Sequence, residues 1–231
     1  MVVRGISNPS IAVIIPALNE PKIGSVLRRI DVLAPHELIA VHAGDPVTLK
    51  SLGETSAPPG ARLLQAPPGR ARQMNRGAAA APSDIVLFLH ADTELPPGAL
   101  DGVRRAVAGG ALWGFFAVRI AGRHRLLRVV ERMMNLRSRA SGIATGDQAI
   151  FVRRDAFQLL GGYAPIELME DIDLCARLKW LGRPARLASP VVTSARRWEA
   201  RGVLRTIVLM WCLRAMFALG VSPQRLARWY R

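Results

Sequence analysis

Short apolar runs alternate with amphipathic segments along the first hundred residues. The runs Ile11–Pro16 and Ile85–Leu89 are continuous and rich in β-branched residues, which is typical of strands buried on both faces of a parallel sheet. Helical spacing of apolar residues predicts helices over 20–33 and 70–81, and two more strands are predicted over 37–44 and 62–66. This order predicts an α/β fold with a mostly parallel central sheet and helices on both faces.

The rest of the chain predicts longer helices and fewer strands. A helix, a glycine turn and a strand are predicted over 101–120, followed by an amphipathic helix over 123–140. Another helix over 168–182 ends at a glycine, and a strand over 185–194 precedes a tail that is helical from residue 201. We therefore predict an α/β domain over residues 1–200 and a basic, apolar helical tail over residues 201–231.

Two of these segments combine apolar residues with arginines. The apolar face of the 123–140 helix is formed by Leu126, Leu127, Val130, Met133 and Met134. Such a basic amphipathic helix either faces the core or lies on an anionic membrane. Arg205 and Arg214 interrupt the apolar segment 203–221, which leaves it too short to span a bilayer. The tail can pack on the domain, form a homodimer or lie at a bilayer interface.

The charge balance favours an anionic partner. Lys and Arg number 32 against 17 Asp and Glu, a formal net charge of +15. Nucleic acid, an anionic membrane surface and a phosphate-bearing small molecule all fit such an excess. We do not expect a nucleic-acid partner, because the aromatic residues, 6% of the chain, do not interleave with the arginines as in RNA readers.

Cysteine use and the N-terminus favour a cytoplasmic protein. Cys175 and Cys212 lie in apolar periodic stretches without metal-ligand spacing, so both are predicted to be core residues in a reducing compartment. The first apolar run is too short for the core of a signal peptide. Any membrane association is therefore expected to be peripheral, at the inner face.

A His-Ala-Asp sequence follows the buried strand 85–89. The carboxyl ends of parallel strands form the edge where α/β sheets bind ligands. His90 and Asp92 are two positions apart, so their side chains can address the same ion or phosphate. A carboxylate here suits Mg²⁺ or Mn²⁺ with diphosphate oxygens as the other ligands. As an alternative, Asp92 caps the turn before the two prolines.

Carboxylates gather at two further points. Asn19 and Glu20 follow the first strand, where Asn19 can equally be a helix N-cap. Glu170, Asp171 and Asp173 begin the 168–182 helix, where the helix dipole favours acids. Three carboxylates beside a crevice also provide a candidate proton acceptor, a role typically worth ~10²–10⁴-fold in rate.

Five motifs occur in the order and approximate spacing of the family 2 glycosyltransferases. They are IAVIIPALNE, GRARQMNRGAAAA, IVLFLHADTELP, GDQAIFVRRDAFQLLGGY and MEDIDLCARLKWLG. The chain resembles this family over essentially its whole length, most closely the small bacterial arsenosugar-biosynthesis-type subgroup. The resemblance implies a GT-A, Rossmann-like fold, a Mg²⁺ or Mn²⁺ cofactor and a nucleotide-sugar donor, with a UDP-sugar favoured.

On the donor side, the resemblance implies a nucleotide pocket lined by the end of the first strand. Its residues here are Pro16, Ala17, Asn19 and Glu20. Asp92 matches the metal-holding Asp that ends the DxD motif. His90 replaces the first Asp of that motif, and Ala91 lies between them. His90 remains a candidate second metal ligand, because imidazole can bind a cation.

The resemblance also places the donor base and diphosphate. His42 stands where the family has a base-reading Asp, and Asp45 is the nearest substitute. Arg70 and Arg72 are candidates to stabilise the charge that develops on the diphosphate as it leaves.

On the acceptor side, the resemblance implies that Asp171 is the catalytic base and that Glu170 orients the acceptor or the base. Gly146, Asp147 and Gln148 match the segment beside donor sugar and acceptor. Arg197 and Trp198 match the end of a Q-x-x-R-W motif, with Ser194 in place of the Gln. Inverting transfer to an acceptor hydroxyl, on a small molecule or a lipid-linked one, is the function this implies.

Two other functions compete with this one. A nucleotidyltransferase shares the sheet and the metal-holding Asp, but it would carry a glycine- and arginine-rich loop after the first strand, which PALNEPKIG lacks. A basic protein that binds a membrane surface or nucleic acid without catalysis also fits the charge. The clustered carboxylates argue against it, since they repel phosphates unless a metal intervenes.

Overall fold

The computed structural model describes residues 8–18, 20, 22–44 and 57–230. Its strands form one mixed sheet. In chain order they are β1 Ile11–Ala17, β2 Glu37–His42, β3 Ala61–Gln65, β4 Ile85–Phe88, β5 Thr93–Glu94, β6 Trp113–Ala121, β7 Phe151–Arg153 and β8 Ala185–Ser194. The spatial order is β3-β2-β1-β4-β7-β6-β8-β5. The β3-β2-β1-β4 half is parallel, and β7 runs antiparallel to both of its neighbours.

Helices flank both faces of this sheet. They are α1 Ile23–Asp31, α2 Arg70–Ala80, α3 Ala99–Ala108, α4 Arg125–Ser141, α5 Arg154–Leu159, α6 Glu170–Leu181, α7 Arg196–Arg201, α8 Val203–Ala218 and α9 Pro223–Tyr230, with a 3₁₀ turn at Gly146–Gln148. The predicted mixed α/β architecture, with a largely parallel sheet and helices on both sides, is confirmed.

Both faces of strand β1 are buried, which explains why its sequence is continuously apolar. Successive residues of a strand point to opposite faces of the sheet. Ile11, Val13 and Ile15 pack in the layer that contains α1 and α3. Ala12 and Ile14 pack in the opposite layer, against α2. Because both faces of β1 are covered, its ends are the only places where it can offer polar contacts to a ligand.

The tail helices α8 and α9 pack on the start of α6. Leu213 of α8 and Leu226 of α9 form an apolar cluster with Leu168 and Met169, the two residues directly before Glu170. The opposite face of α8 is exposed and apolar. It includes Leu204, Val208 and Trp211, each more than 60% exposed.

Within the parts of the chain that the structure describes, no helix is both long and apolar enough to cross a membrane.

The structure corrects one prediction of burial and divides the apolar face of a second helix. Cys175 is buried as predicted, but Cys212 is exposed, because it lies on the outward face of α8. On the apolar face of α4, for which a core and a membrane surface were both expected partners, Leu127 and Val130 are buried in the core and Met133 is 43% exposed. In both helices the apolar residues exceed what the core accommodates.

Candidate active site

A groove of about 640 Å³ lies where β1 and β4 end. Its walls come from the start of α1, from the segment after β4 and from the end of β8, with Glu20, Lys22, Asp92, Ser194 and Arg196 among the lining residues. Lys22 and Arg196 give this groove cationic groups beside its two carboxylates. A groove lined in this way suits a ligand that carries both phosphate oxygens and a cation.

Asp92 meets the requirement for a metal-binding carboxylate in this groove. Its side chain is exposed, and it makes no hydrogen bond or ion pair with any residue that the structure describes. Only its backbone oxygen is occupied, by the N–H of Ser194 at 3.1 Å. The described residues contain no group of three or more His, Cys, Asp and Glu side chains that could hold a metal. One carboxylate together with diphosphate oxygens is, however, a common ligand set for Mg²⁺.

The side chain of His90 is not placed to bind a metal in this groove. Its Nδ1 lies 3.1 Å from Oδ1 of Asp147. Its Nε2 lies so close to Gly146 that a methyl group on this glycine would come within 2.3 Å of it. Both ring nitrogens therefore face the 3₁₀ turn. The fit is good for Asp92 as a metal ligand and poor for His90.

The His90–Asp147 pair fixes the charge of the carboxylate. Burial favours the neutral form of Asp147, but the hydrogen bond and charge of His90 outweigh burial and lower the pKa of Asp147 to about 2. The charges of Arg197 and Arg70 act in the same direction. Asp147 is therefore an anion throughout the physiological pH range.

Asp171 sits at the first turn of α6 with both oxygens oriented. Its Oδ2 accepts the N–H of Gly146 at 2.7 Å, and its Oδ1 accepts the N–H of Ile172 at 2.7 Å. Each carboxylate oxygen has a further lone pair. Asp171 also lines a small recess together with His90, Tyr163 and Glu170.

Glu170, its neighbour, is in a different environment. It is 2% exposed, its Oε1 pairs with Nε of Arg70 at 2.9 Å, and its Oε2 is buried without a hydrogen-bond partner among the described residues. Burial raises the pKa of Glu170 although Arg70 opposes the rise. Two adjacent carboxyls thus differ in solvation, a combination that is frequent at catalytic sites.

Comparison with known proteins identifies the family of this chain. Residues 12–156 match the model of "Glycosyl transferase family 2". The chain belongs to this family. The matched range includes His90, Asp92, the 3₁₀ turn and the groove residues Glu20 and Lys22, and it ends before Glu170, Asp171 and the groove residues Ser194 and Arg196. No curated protein matches the chain.

Three solved structures share the fold of this family 2 chain. A mannosyltransferase from Pyrobaculum calidifontis, PcManGT, in complex with GDP-Man and Mn²⁺, is 20% identical with a TM-score of 0.61, covering 97% of this chain and 69% of that one. TarS 1-349 from S. aureus is 16% identical with a TM-score of 0.62, covering 80% and 60%. A mycobacterial protein is 22% identical with a TM-score of 0.55, covering 81% and 65%.

These likenesses show the GT-A fold. This family 2 chain spans about two thirds of the length of the structures it resembles. The family that the chain belongs to is one of glycosyl transferases.

Gln73 holds together the strand ends of this glycosyltransferase, and sequence reasoning missed it. Its side chain is 2% exposed, and its Nε2 donates to the backbone oxygens of Ala17 and Val41 at 2.8 and 2.7 Å. Pro16 and Ala17 are thereby fixed beside His42 at the edge of the sheet. A polar residue in the otherwise apolar face of α2 was the only signal in the sequence.

The predicted base-reading position is enclosed. His42 is 3% exposed, and its Nε2 has no hydrogen-bond partner among the described residues. Asn19 and Asp45, also predicted for the donor side, lie outside the described residues.

The structure places the other predicted residues unevenly. Arg70 reaches the site through Glu170, whereas Arg72 on the same helix is exposed. Gln148 is fully buried and donates to the backbone oxygen of Phe116 and to Oγ of Ser138 at 3.2 and 3.0 Å. Gln148 therefore anchors the 3₁₀ turn from inside, while Gly146 and Asp147 face the site.

Arg197 and Trp198, which were predicted together for the acceptor side, lie in different surroundings. The guanidinium of Arg197 lies 5.4 Å from the ring centre of Tyr230, and its charge acts on Asp147. Trp198 packs instead in the apolar cluster of Leu127 and Val130. The first residue belongs to the surroundings of the site and the second to the core.

Asn75 and Tyr163 connect segments around the site, and they were not predicted from the sequence. Asn75 brackets Tyr163, donating to its backbone oxygen at 2.8 Å and accepting its N–H at 2.9 Å. The Tyr163 ring packs edge-on against Phe88, with 4.9 Å between ring centres. This contact joins the segment before α6 to the strand that precedes His90.

Proposed function

We propose that this protein is a metal-dependent, inverting glycosyltransferase that moves a hexosyl group from a nucleoside-diphosphate sugar to an acceptor hydroxyl. The observation that carries the proposal is the placement of two different carboxylates. Asp92 is exposed in the groove at the end of β1, and Asp171 lines the neighbouring recess with its oxygens oriented by backbone N–H groups.

The donor diphosphate is assigned to the groove. Asp92 would hold Mg²⁺ or Mn²⁺ there, and the cation would neutralise charge on the leaving diphosphate. Lys22 and Arg196 supply further positive charge, which suits a polyanionic ligand. Pro16, Ala17 and Glu20 would line the nucleoside end, as the family resemblance implies.

Asp171 is assigned the proton transfer. As the acceptor oxygen attacks the anomeric carbon, the C–O bond to the diphosphate breaks on the opposite face and the acceptor proton passes to Asp171. The N–H groups of Gly146 and Ile172 hold the carboxylate in one orientation. Glu170 and Arg70 position this turn, because their ion pair links α6 to α2.

The proposal also names a donor nucleotide and a subgroup within family 2. A UDP-sugar is the favoured donor from the family resemblance, whereas the structure of PcManGT contains GDP-Man and Mn²⁺. The binding experiment below therefore includes both UDP and GDP. The arsenosugar-biosynthesis-type subgroup stays a prediction from the motifs.

We also assign the catalytic unit to residues 1–200 and a membrane-facing role to the tail. The exposed apolar face of α8, next to a chain with a net charge of +15, fits the anionic inner face of a cytoplasmic membrane. In the competing proposal, a second copy of the chain covers the same face and forms a homodimer.

Calorimetric titration with UDP, GDP and dTDP, each with Mn²⁺ and with EDTA, tests the proposal. We expect one nucleotide to bind only when Mn²⁺ is present, and Asp92→Ala to lose that binding. The control is Asp101→Ala, an exposed carboxylate on α3, which should bind as the wild type does. Binding of no nucleotide, or equal binding by Asp92→Ala, would contradict the donor site.

A further inference from the structure

Two arginines point into the protein without a carboxylate partner. In Arg137 of α4, Nε and Nη2 are buried without a hydrogen-bond partner, and so is Nε of Arg214 in α8. The part of the chain that the structure describes contains no salt bridge to either residue. The two helices pack against each other, so the two side chains approach the same region.

Other arginines near the core of this protein are paired. Arg70 contacts Glu170 at 2.9 Å, and Arg177 contacts Asp173 at 2.6 Å. Such pairing is the rule, because a buried cation without hydrogen bonds or an anion is costly. Arg104 and Arg154 also have a buried Nε without a partner, but their side chains donate to Asp101 and to the backbone oxygen of Pro82. The side chains of Arg137 and Arg214 make no hydrogen bond to any residue that the structure describes, which marks a place where an outside group can supply the missing acceptors.

Burial disfavours the charged form of both arginines. Burial, and then the positive charge of Arg214, lower the pKa of Arg137 to about 10. Burial also lowers the pKa of Arg214. Like charges that are held together in this way attract an anion.

Packing contacts place the two helices beside the segments that carry Asp147 and Asp171. Ser138, next to Arg137, accepts a hydrogen bond from Nε2 of Gln148 in the 3₁₀ turn at 3.0 Å, and Leu213, next to Arg214, packs with Met169 directly before Glu170. In agreement with this placement, the charge of Asp171 acts on both arginines and that of Asp147 acts on Arg214. Both carboxylates belong to the recess side of the site, whereas Asp92 lines the groove. The arginine pair therefore lies on the side assigned above to the acceptor.

We propose that Arg137 and Arg214 bind a phosphate group carried by the acceptor. The inference rests on the proposed function and names the substrate class of that site: a hydroxylated acceptor that bears a phosphate. Guanidinium groups suit this ligand, since each can donate two parallel hydrogen bonds to phosphate oxygens. Two cations also match the charge of a phosphate mono- or dianion.

The phosphate can belong to a lipid or to a soluble molecule. Arg214 shares α8 with the exposed residues Leu204, Val208 and Trp211, so a lipid phosphate would reach it from a membrane surface. A sugar phosphate would reach it from solution. Both sources present the same group to the arginines.

Equilibrium binding of inorganic phosphate to the full-length protein is the first test. We expect Arg137→Gln and Arg214→Gln each to weaken binding by roughly 10-fold or more, because each removes charge-assisted hydrogen bonds. The matched controls are Arg139→Gln and Arg205→Gln, exposed arginines on the same two helices, which should bind as the wild type does. Equal binding by all variants, or equal loss in the controls, overturns the inference.

Asp92→Ala separates this result from the proposed function. We expect it to lose nucleotide binding and to keep phosphate binding. If no nucleotide binds to the wild type while phosphate binding still depends on Arg137 and Arg214, the transferase proposal fails and the anion site stands. If Asp92→Ala loses phosphate binding as well, phosphate occupies the donor groove and the inference is wrong.

Two further ligands distinguish the sources. Glucose 1-phosphate serves as the soluble probe, and vesicles of phosphatidylcholine with and without phosphatidic acid serve as the lipid probe. Loss of glucose 1-phosphate binding in Arg214→Gln supports a soluble acceptor. Loss confined to the phosphatidic acid vesicles supports a lipid acceptor. Loss of neither contradicts a phosphate-bearing acceptor.

A stability measurement excludes a merely structural role. Arg137→Met keeps the apolar stem and removes an unpaired buried cation, so we expect a higher Tm without ligand and no phosphate-dependent rise in Tm. A structural arginine would show the reverse, a lower Tm on substitution. That outcome would overturn the proposal even if the glutamine variants failed to fold.

Discussion

Two adjacent carboxylates in this protein have different surroundings. Glu170 is enclosed with one oxygen on Arg70, whereas Asp171 is held by two backbone N–H groups beside the recess. Burial raises the pKa of Glu170, whereas each oxygen of Asp171 keeps a further lone pair that can accept a proton. We therefore assign the proposed proton transfer to Asp171.

Substitution of Asp171 tests that assignment. Asp171→Asn should lower kcat by ~10²–10⁴-fold and leave nucleotide affinity unchanged, because the groove is intact. Initial rates and calorimetry measure the two quantities. Asp173→Asn is the control in the same helical turn, where Asp173 contacts Arg177, and it should retain activity. Normal turnover by Asp171→Asn would show that another group is the base.

Asp147 should make acid stability depend on His90. Because the pKa of Asp147 is lowered to about 2 in the fold, its stabilising contribution is present above the unfolded value and is lost as the pH falls from about 4 to 2. Asp147→Asn should therefore cost ~1 kcal/mol at neutral pH and flatten this acid limb. Urea unfolding at several pH values measures both effects. An unchanged acid limb would show that the His90–Asp147 contact does not stabilise the fold.

At the scale of elements, contact between helix α2 and the sheet depends on one glycine. A methyl group on Gly77 would lie 2.4 Å from Cγ2 of Ile14 in β1 and 3.1 Å from Cγ2 of Val41 in β2. Because position 77 is a glycine, the helix that carries Gln73 packs closer to β1 and β2 than it could with any other residue at that position.

A pair of glycine substitutions separates close packing from helix propensity. Gly77→Ala should destabilise the protein by about 1–3 kcal/mol through overpacking. Gly102→Ala, in α3, places its methyl 3.5 Å from Leu187, so the gain in helix propensity should stabilise the protein by up to ~1 kcal/mol. Urea denaturation gives both values. The same sign for both substitutions would contradict the packing argument.

Elements with strong periodicity were predictable from the sequence. The apolar run of β1 and the spacing in α6 each report a face that must be buried, so their bounds agree with the structure within two residues. Strand β7, Phe151–Arg153, was not predicted, because three residues carry no period. Its antiparallel pairing with β4 depends on contacts across more than sixty residues of chain.

The candidate site was predictable in residue types and less so in arrangement. Asp92, Glu170 and Asp171 follow from strand ends, helix starts and family motifs. The convergence of Gln73 on two strand ends, and of Arg137 and Arg214 on one region, is set by helix packing in three dimensions. Nothing in the local sequence of α4 or α8 distinguishes these arginines from their exposed neighbours.

At the scale of the whole molecule, positive charge and exposed apolar surface meet on the tail. Trp211 is 61% exposed on α8, and Trp180 is 90% exposed on α6. Only the first belongs to an extended apolar face that includes Leu204 and Val208. In the proposed membrane-facing role, charge would attract the protein to an anionic surface and the apolar face would retain it there.

Vesicle flotation tests this division of roles. Trp211→Ser should reduce binding to phosphatidylglycerol-containing vesicles several-fold, and added salt should weaken the wild type by screening. Trp180→Ser is the matched control and should float as the wild type does. Equal loss in both variants would indicate general hydrophobic adsorption, and a change from dimer to monomer in Trp211→Ser would assign the face to a second copy.

The packing of the tail on Leu168 and Met169 links that surface to the chemistry. Met169 adopts a left-handed conformation, with φ of 69°, at the point where the chain turns into Glu170 and Asp171. Leu213 and Leu226 pack against this corner from the tail, so the tail contributes to the backbone conformation that positions Asp171, the proposed base. A lipid surface that binds α8 would thus act as an allosteric effector. The turnover number should therefore differ between free and vesicle-bound enzyme, even for a fully water-soluble acceptor.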